Sequence, residues 1–120
     1  MFTVQVTDTI QTAMLRITAN KHRVVVVLDG ITVIGTVSDG DIRRAFLKEV
    51  LAIAPVEKIM NINCLTTTER DPREVAEIMR REQVTLLPIV NDAGELLDVG
   101  LAYEPFVDGE DDSKSGGKDY

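Results

Sequence analysis

Apolar positions change their period several times along this chain, and each change marks an element. Phe2-Thr3-Val4-Gln5-Val6 alternates, which predicts a short edge strand. Ile10, Ala13, Met14 and Ile17 then recur at helical spacing, with Asp8 and Gln11 offering a capping box and Asn20 a stop. Val24-Val25-Val26-Val27-Leu28 is unbroken and predicts a buried strand; Asp29-Gly30 turns the chain, and 33–37 returns as a second strand. From about Gly40 to Val50 the pattern is helical again, with Ile42, Ala45 and Phe46 on one face and Arg43, Arg44 and Lys48 elsewhere. Residues 52–68 predict a loop with one short helical turn, started by Pro55 and burying Ile59 and Met60. The strongest helix signal follows. Asp71 caps, Pro72 takes the first helical position, Glu74 completes a capping box, and Val75, Ile78 and Met79 form the apolar face. Leu86 to Val90 predicts a strand, which Pro88 assigns to an edge or irregular position. Asn91-Asp92-Ala93-Gly94 turns, and Leu96 to Leu101 returns as the last strand.

These elements occur twice. A shift of 63 residues sets Ala13 on Ala76, Val27 on Val90 and Asp29 on Asp92. Two copies at so long a period predict two small units that complete one core, not a solenoid. The expected organisation is an α+β fold with unit 1 over 1–50, a linker over 51–68, and a degenerate, shortened unit 2 over 69–107. An acidic tail over 108–120 follows, and its polar, glycine-rich composition predicts flexibility. The copies differ where the second strand ends: Gly35 meets Asp98, Ser38 meets Leu101, and Asp41 meets Glu104, while Pro105 forbids a long regular helix.

Composition narrows the function. Apolar residues make up 44%, enough for a sizeable core, but aromatics are 4% with no Trp, so stacking platforms for single-stranded nucleic acid are missing. Twenty acids against 13 bases give a net charge of -7, and the only compact basic pairs are Arg43-Arg44 and Arg80-Arg81. Such a chain repels duplex nucleic acid. Cys64 is the sole cysteine, which excludes an internal disulfide and fits a reducing compartment; no basic cluster flanks it to lower its pKa. The first twenty residues lack a basic segment followed by an apolar one, and the longest apolar run is far short of a membrane span. A cytoplasmic protein that touches neither membrane nor nucleic acid is the expectation.

The candidate chemistry lies at 35–44, where Ser38, Asp39 and Asp41 stand between a strand end and a helix start. A helix entrance exposes backbone N–H groups that suit a phosphate, and a carboxylate can accept from both hydroxyls of a ribose. That chemistry holds a nucleotide; it has no means of converting one. Each residue also has a plainer role. Asp41 would serve as a cap or first-turn acid, stabilising by about 0.3–1 kcal/mol, Ser38 as a loop hydroxyl satisfied by backbone, and Arg43 and Arg44 as a solvated face. His22 is alone, whereas zinc needs three or four ligands and a nucleophile relay needs a third, orienting group. No glycine-rich stretch ends in the Lys-Ser/Thr of a P-loop, and the acidic tail lacks the spacing of a calcium loop. Magnesium fits only as the companion of a bound polyphosphate.

Two helix–strand–strand units with Gly35-x-Val37-Ser38-x-x-Asp41-Ile42-Arg43 closing the first resemble a CBS-domain pair, or Bateman module, over residues 2–106. The wording at 35–44, at Pro55-Val56-Glu57-Lys58-Ile59-Met60-Asn61 and at Leu87-Pro88-Ile89-Val90 is most similar to the regulatory pair attached to bacterial sugar-phosphate nucleotidyltransferases. Sugar-phosphate isomerases of the arabinose-5-phosphate type carry a similar pair. The resemblance implies two units packed through their sheets with pseudo-twofold symmetry, a cleft for AMP, ADP or ATP, a catalytic partner domain, and homodimers. By motif, Asp41 would accept from the ribose, Ser38 would donate to a phosphate, and Thr36 would line the cleft. Arg23 and Val24 would approach the base, and Arg43 would neutralise phosphate. With Leu101 in the hydroxyl position and Asp98 in the glycine position, at most one good nucleotide site per chain is expected. The alternative is a ligand-free structural or dimerisation module. No catalytic residue is expected.

Overall fold

The strand Val24–Asp29 (β2) is apolar from Val24 to Leu28 because both of its faces are covered there. In the computed structural model, which describes residues 1–102, Val25 and Val27 face one core, and Val26 and Leu28 face another. The first core is closed by the helices Ile10–Asn20 (α1) and Asp39–Leu47 (α2), which contribute Ile10, Ala13, Ile17 and Ile42. The other core joins the two units: Val26 and Leu28 meet Leu86, with Val33, Leu96 and Val99 packed around them. The expectations for Glu104, Pro105 and the acidic tail lie outside the described residues.

The short strand Thr3–Gln5 (β1) pairs in parallel with β2, which pairs antiparallel with Thr32–Ser38 (β3). Unit 2 repeats this with the helix Pro72–Glu82 (α3) and the hairpin Leu86–Val90 (β4) and Leu96–Leu101 (β5). Val75, Met79, Leu87 and Ile89 form its own core. Thr67 stands where a counterpart of β1 would run, bridging Ile89 in parallel as Val4 pairs with Val27. Pro88 is fully buried, and its carbonyl accepts from Thr67 N at 3.1 Å. Its ring nitrogen faces that same side, so the missing donor falls on the interrupted edge of β4 and spares the ladder with β5.

The stretch 51–68 is integrated with unit 1. Ala52 and Ala54 carbonyls accept from Gln11 and Ile10, Val56 is fully buried, and a 3-10 turn spans Val56–Lys58. Asn61 exchanges two backbone hydrogen bonds with Thr36, at 3.1 and 2.8 Å. Gly35 permits this approach, since a Cβ there would lie 2.9 Å from the Asn61 carbonyl oxygen.

Several local expectations need correction. Thr9, not Asp8, caps α1, accepting from Thr12 N at 3.1 Å, while Asp8 accepts from Gln5 N in the preceding turn. Asp71 does cap α3 with Pro72 behind it, accepting from Arg73 N at 3.0 Å, but no capping box with Glu74 forms. Helix α2 ends at Leu47, and Glu49 takes a positive φ of 66°. Phe46 and Met14 are 40% and 37% exposed despite their place in apolar stripes.

The repeat offset also needs correction. Caps Thr9 and Asp71, left-handed C-caps Lys21 and Gln83, and the bulges after Val27 and Ile89 are each 62 residues apart. In the second strands the offset is 63, with Gly35 opposite Val27 and Asp98 opposite Ile89. Between the paired residues Val90 and Leu96 the chain has one residue more than between their counterparts Leu28 and Val33, so no single shift superposes the units.

Candidate functional site

Where β2 begins, the backbone of Arg23 takes a left-handed φ of 66°, a conformation uncommon outside glycine. The Arg23 carbonyl accepts from Asp39 N at 3.1 Å, which ties the start of β2 to the start of α2. The equivalent bond recurs in unit 2 between Ala102 N and the Thr85 carbonyl at 3.0 Å. Both units therefore build the same strand-to-strand end.

Between these two ends lies a cavity of about 420 Å³. Unit 1 contributes His22, Arg23, Val24, Thr36 and Ser38, and unit 2 contributes Thr85, Leu86 and Pro88. Asn61 and Cys64 come from the connecting segment. The Thr85 hydroxyl reaches across to the His22 carbonyl at 3.3 Å. The His22 ring packs edge-on against Phe2 with centroids 5.8 Å apart, and its buried Nδ1 has no hydrogen-bond partner among the described residues. Partial burial pushes the Cys64 thiol above its ordinary pKa by desolvation, against a smaller lowering from a backbone hydrogen bond.

Four of the six residues singled out from sequence, Arg23, Val24, Thr36 and Ser38, meet in this cavity. Asp41 does not line it. Ser38 and Asp41 form a capping box for α2: Ser38 Oγ accepts from Asp41 N at 3.2 Å, and Asp41 Oδ2 accepts from Ser38 N at 2.9 Å and Ser38 Oγ at 3.0 Å. Asp41 Oδ1 pairs with the exposed Arg44 guanidinium at 2.7 Å. The plainer structural role of both residues is thus present. Arg43 is exposed on α2 and lines neither this cavity nor the one beside Asp41.

Sequence reasoning missed Asn61 and Thr85 and gave Cys64 no part in a cleft. Thr85 is 62 residues from Arg23, so the repeat itself could have flagged it. Among the described residues, no group of three His, Cys, Asp or Glu side chains converges on a metal position, and no helix is long and apolar enough to cross a membrane.

The fold is an α+β pair of helix–strand–strand units with a cavity between their sheet ends, and comparison shows what it is similar to. Residues 1–48 match the CBS domain family model. A CBS domain protein from Pyrobaculum aerophilum, solved in complex with AMP, is 25% identical with a TM-score of 0.64, covering 81% of this chain and 76% of that one. A Methanocaldococcus jannaschii protein, proposed as an archaeal homolog of g-AMPK, is 27% identical with a TM-score of 0.67, covering 82% and 42%. The CBS domains of a transcriptional regulator from Streptococcus pneumoniae are 20% identical with a TM-score of 0.65, covering 83% and 81%. No curated protein matches the chain in sequence. The fold is that of a tandem CBS-domain pair.

Proposed function

We propose that this chain is a non-catalytic regulatory module that binds an adenosine nucleotide in the cavity between its two units. The observation that carries the reading is the convergence of Arg23, Val24, Thr36 and Ser38 with Thr85, Leu86 and Pro88 on one cavity. In this reading the base lies against Val24 and Leu86, the phosphates reach the hydroxyls of Thr36 and Ser38, and Asp41 accepts from the ribose across the rim. Arg43 supplies charge from outside. The Pyrobaculum relative with AMP supports the ligand class. Binding would act by population shift, favouring one arrangement of the units and passing it to an attached or partner enzyme. Likeness to the pairs on sugar-phosphate nucleotidyltransferases points to that enzyme class, to a homodimer and to the cytoplasm. Magnesium would enter only with ADP or ATP.

A ligand-free structural module is the second reading, favoured by the capping box that already satisfies Ser38 and Asp41. Isothermal titration with AMP, ADP and ATP, with and without magnesium, separates the two. Saturable binding near one nucleotide per chain supports the sensor. No heat and no thermal shift with any of the three favours the structural module.

A further inference from the structure

We propose a second ligand site, for a compact phosphate-class anion, in the concavity between the C-terminal half of α2 and the 3-10 turn at 56–58. This hollow of about 240 Å³ is lined by Arg44 and Lys48 from α2 and its cap, Lys58 from the turn, and Asp41. Ala45, Val50 and Ile59 form its apolar floor. The lining carries three cations and one carboxylate, on a chain whose net charge is -7. Asp41 neutralises Arg44 at 2.7 Å. Neither Lys48 nor Lys58 forms an ion pair among the described residues.

The plainer explanation falls short. Lys48 caps α2 and complements the negative end of the helix dipole, which accounts for one cation there. It does not account for Lys58, which reaches the same hollow from a different segment. That segment is held in place by backbone bonds from Val56 N to the Asp8 carbonyl and from Lys58 N to the Pro55 carbonyl, at 2.8 and 3.1 Å. Among the described residues the one carboxylate of the hollow, Asp41, is paired with Arg44, so Lys48 and Lys58 have no anionic partner there. The hollow is little more than half the size of the cavity between the units, which suits a phosphate group and not a whole nucleotide. The site shares Asp41 with the nucleotide reading but needs no residue that lines that cavity.

The test is a titration of the full chain with inorganic phosphate, followed by amide chemical shifts, with chloride at matched ionic strength as control. Saturable shifts at Arg44, Lys48, Lys58 and Ile59 are expected from phosphate and not from chloride. K48A and K58A, both at exposed positions, should each weaken binding about fivefold, the effect of one unit charge at about 4 Å in water. K58R should retain it. Equal shifts with chloride, or phosphate affinity unchanged in K48A and K58A, would overturn the proposal. So would phosphate shifts confined to Arg23, Thr36 and Ser38, which would instead support the cavity between the units.

Discussion

Ser38 carries two readings at once, and two substitutions at this position separate them. Its Oγ caps α2 by accepting from Asp41 N, and replacing an N-cap serine by alanine costs about 1 kcal/mol. Asp41 would keep the Ser38 N–H at 2.9 Å and Arg44 at 2.7 Å, so its carboxylate is not orphaned and the loss stays near the cap value. For a chain of 120 residues that is a fall in Tm of about 4 °C. Glycine at an N-cap costs only a few tenths of a kcal/mol, although it removes the same hydroxyl. Ser38→Ala and Ser38→Gly should therefore differ in thermal unfolding yet lose AMP affinity alike. A hydrogen bond to a charged group contributes about 1.5–3 kcal/mol, and donation to the phosphate replaces the bond to Asp41, so the shared loss is the difference of two such bonds, up to about tenfold. AMP affinity that survives in Ser38→Gly would refute the ligand role and leave the hydroxyl as a cap. Unchanged Tm in Ser38→Ala would refute the capping argument itself.

Other substitutions test the frame around the cavity. Gly35→Ala places a Cβ 2.9 Å from the Asn61 carbonyl and 3.2 Å from Met60 Sδ. The Thr36–Asn61 pairing must then open, lowering stability by about 1–3 kcal/mol in urea unfolding. Leu87 is fully buried against α3, so Leu87→Ala should cost about 2–5 kcal/mol; a loss below 1 kcal/mol would contradict the packing of unit 2. The Cys64 thiol, its pKa raised by burial, should react slowly with iodoacetamide at pH 7, and saturating AMP should slow it further. Because the folded pKa is the higher one, this group's contribution is complete below the unfolded thiol pKa of about 8.5. It is lost as pH rises through the folded value, so the alkaline fall in urea midpoint should be shallower in Cys64→Ser.

The elements were legible because burial on one or two faces leaves a periodic record. The run at 24–28 has no polar position because two cores need it, and the stripe at Val75, Ile78 and Met79 has one face because only one core does. Cap assignment failed at Asp8 for a local reason: the turn at Gln5 uses that carboxylate, and the hydroxyl one residue later is free to cap. The repeat offset slipped because an inserted loop residue leaves no mark on hydrophobic periodicity. The cavity was only half legible. Thr36 and Ser38 belong to a motif read along ten residues and Arg23 and Val24 to the resemblance, while Asn61 and Thr85 arrive through pairings between segments that are distant in sequence.

The capping box also bears on how a nucleotide could bind. A serine hydroxyl has one proton to donate, and Ser38 Oγ gives it to Asp41 Oδ2 at 3.0 Å. Donation to a phosphate must exchange that bond for a new one, so the affinity measured is the difference between two charge-assisted hydrogen bonds. Asp41 loses little in the exchange, since Oδ2 keeps the Ser38 N–H, and the freed lone pair can accept from a ribose hydroxyl. The same proton can thus alternate between the Asp41 carboxylate and a ligand while Oγ goes on accepting from Asp41 N, which couples occupancy to the first turn of α2. Unit 2 has no such device: Leu101 stands opposite Leu86 where Ser38 stands opposite Val24. With no hydroxyl to exchange there, at most one nucleotide per chain is expected on the proposed reading.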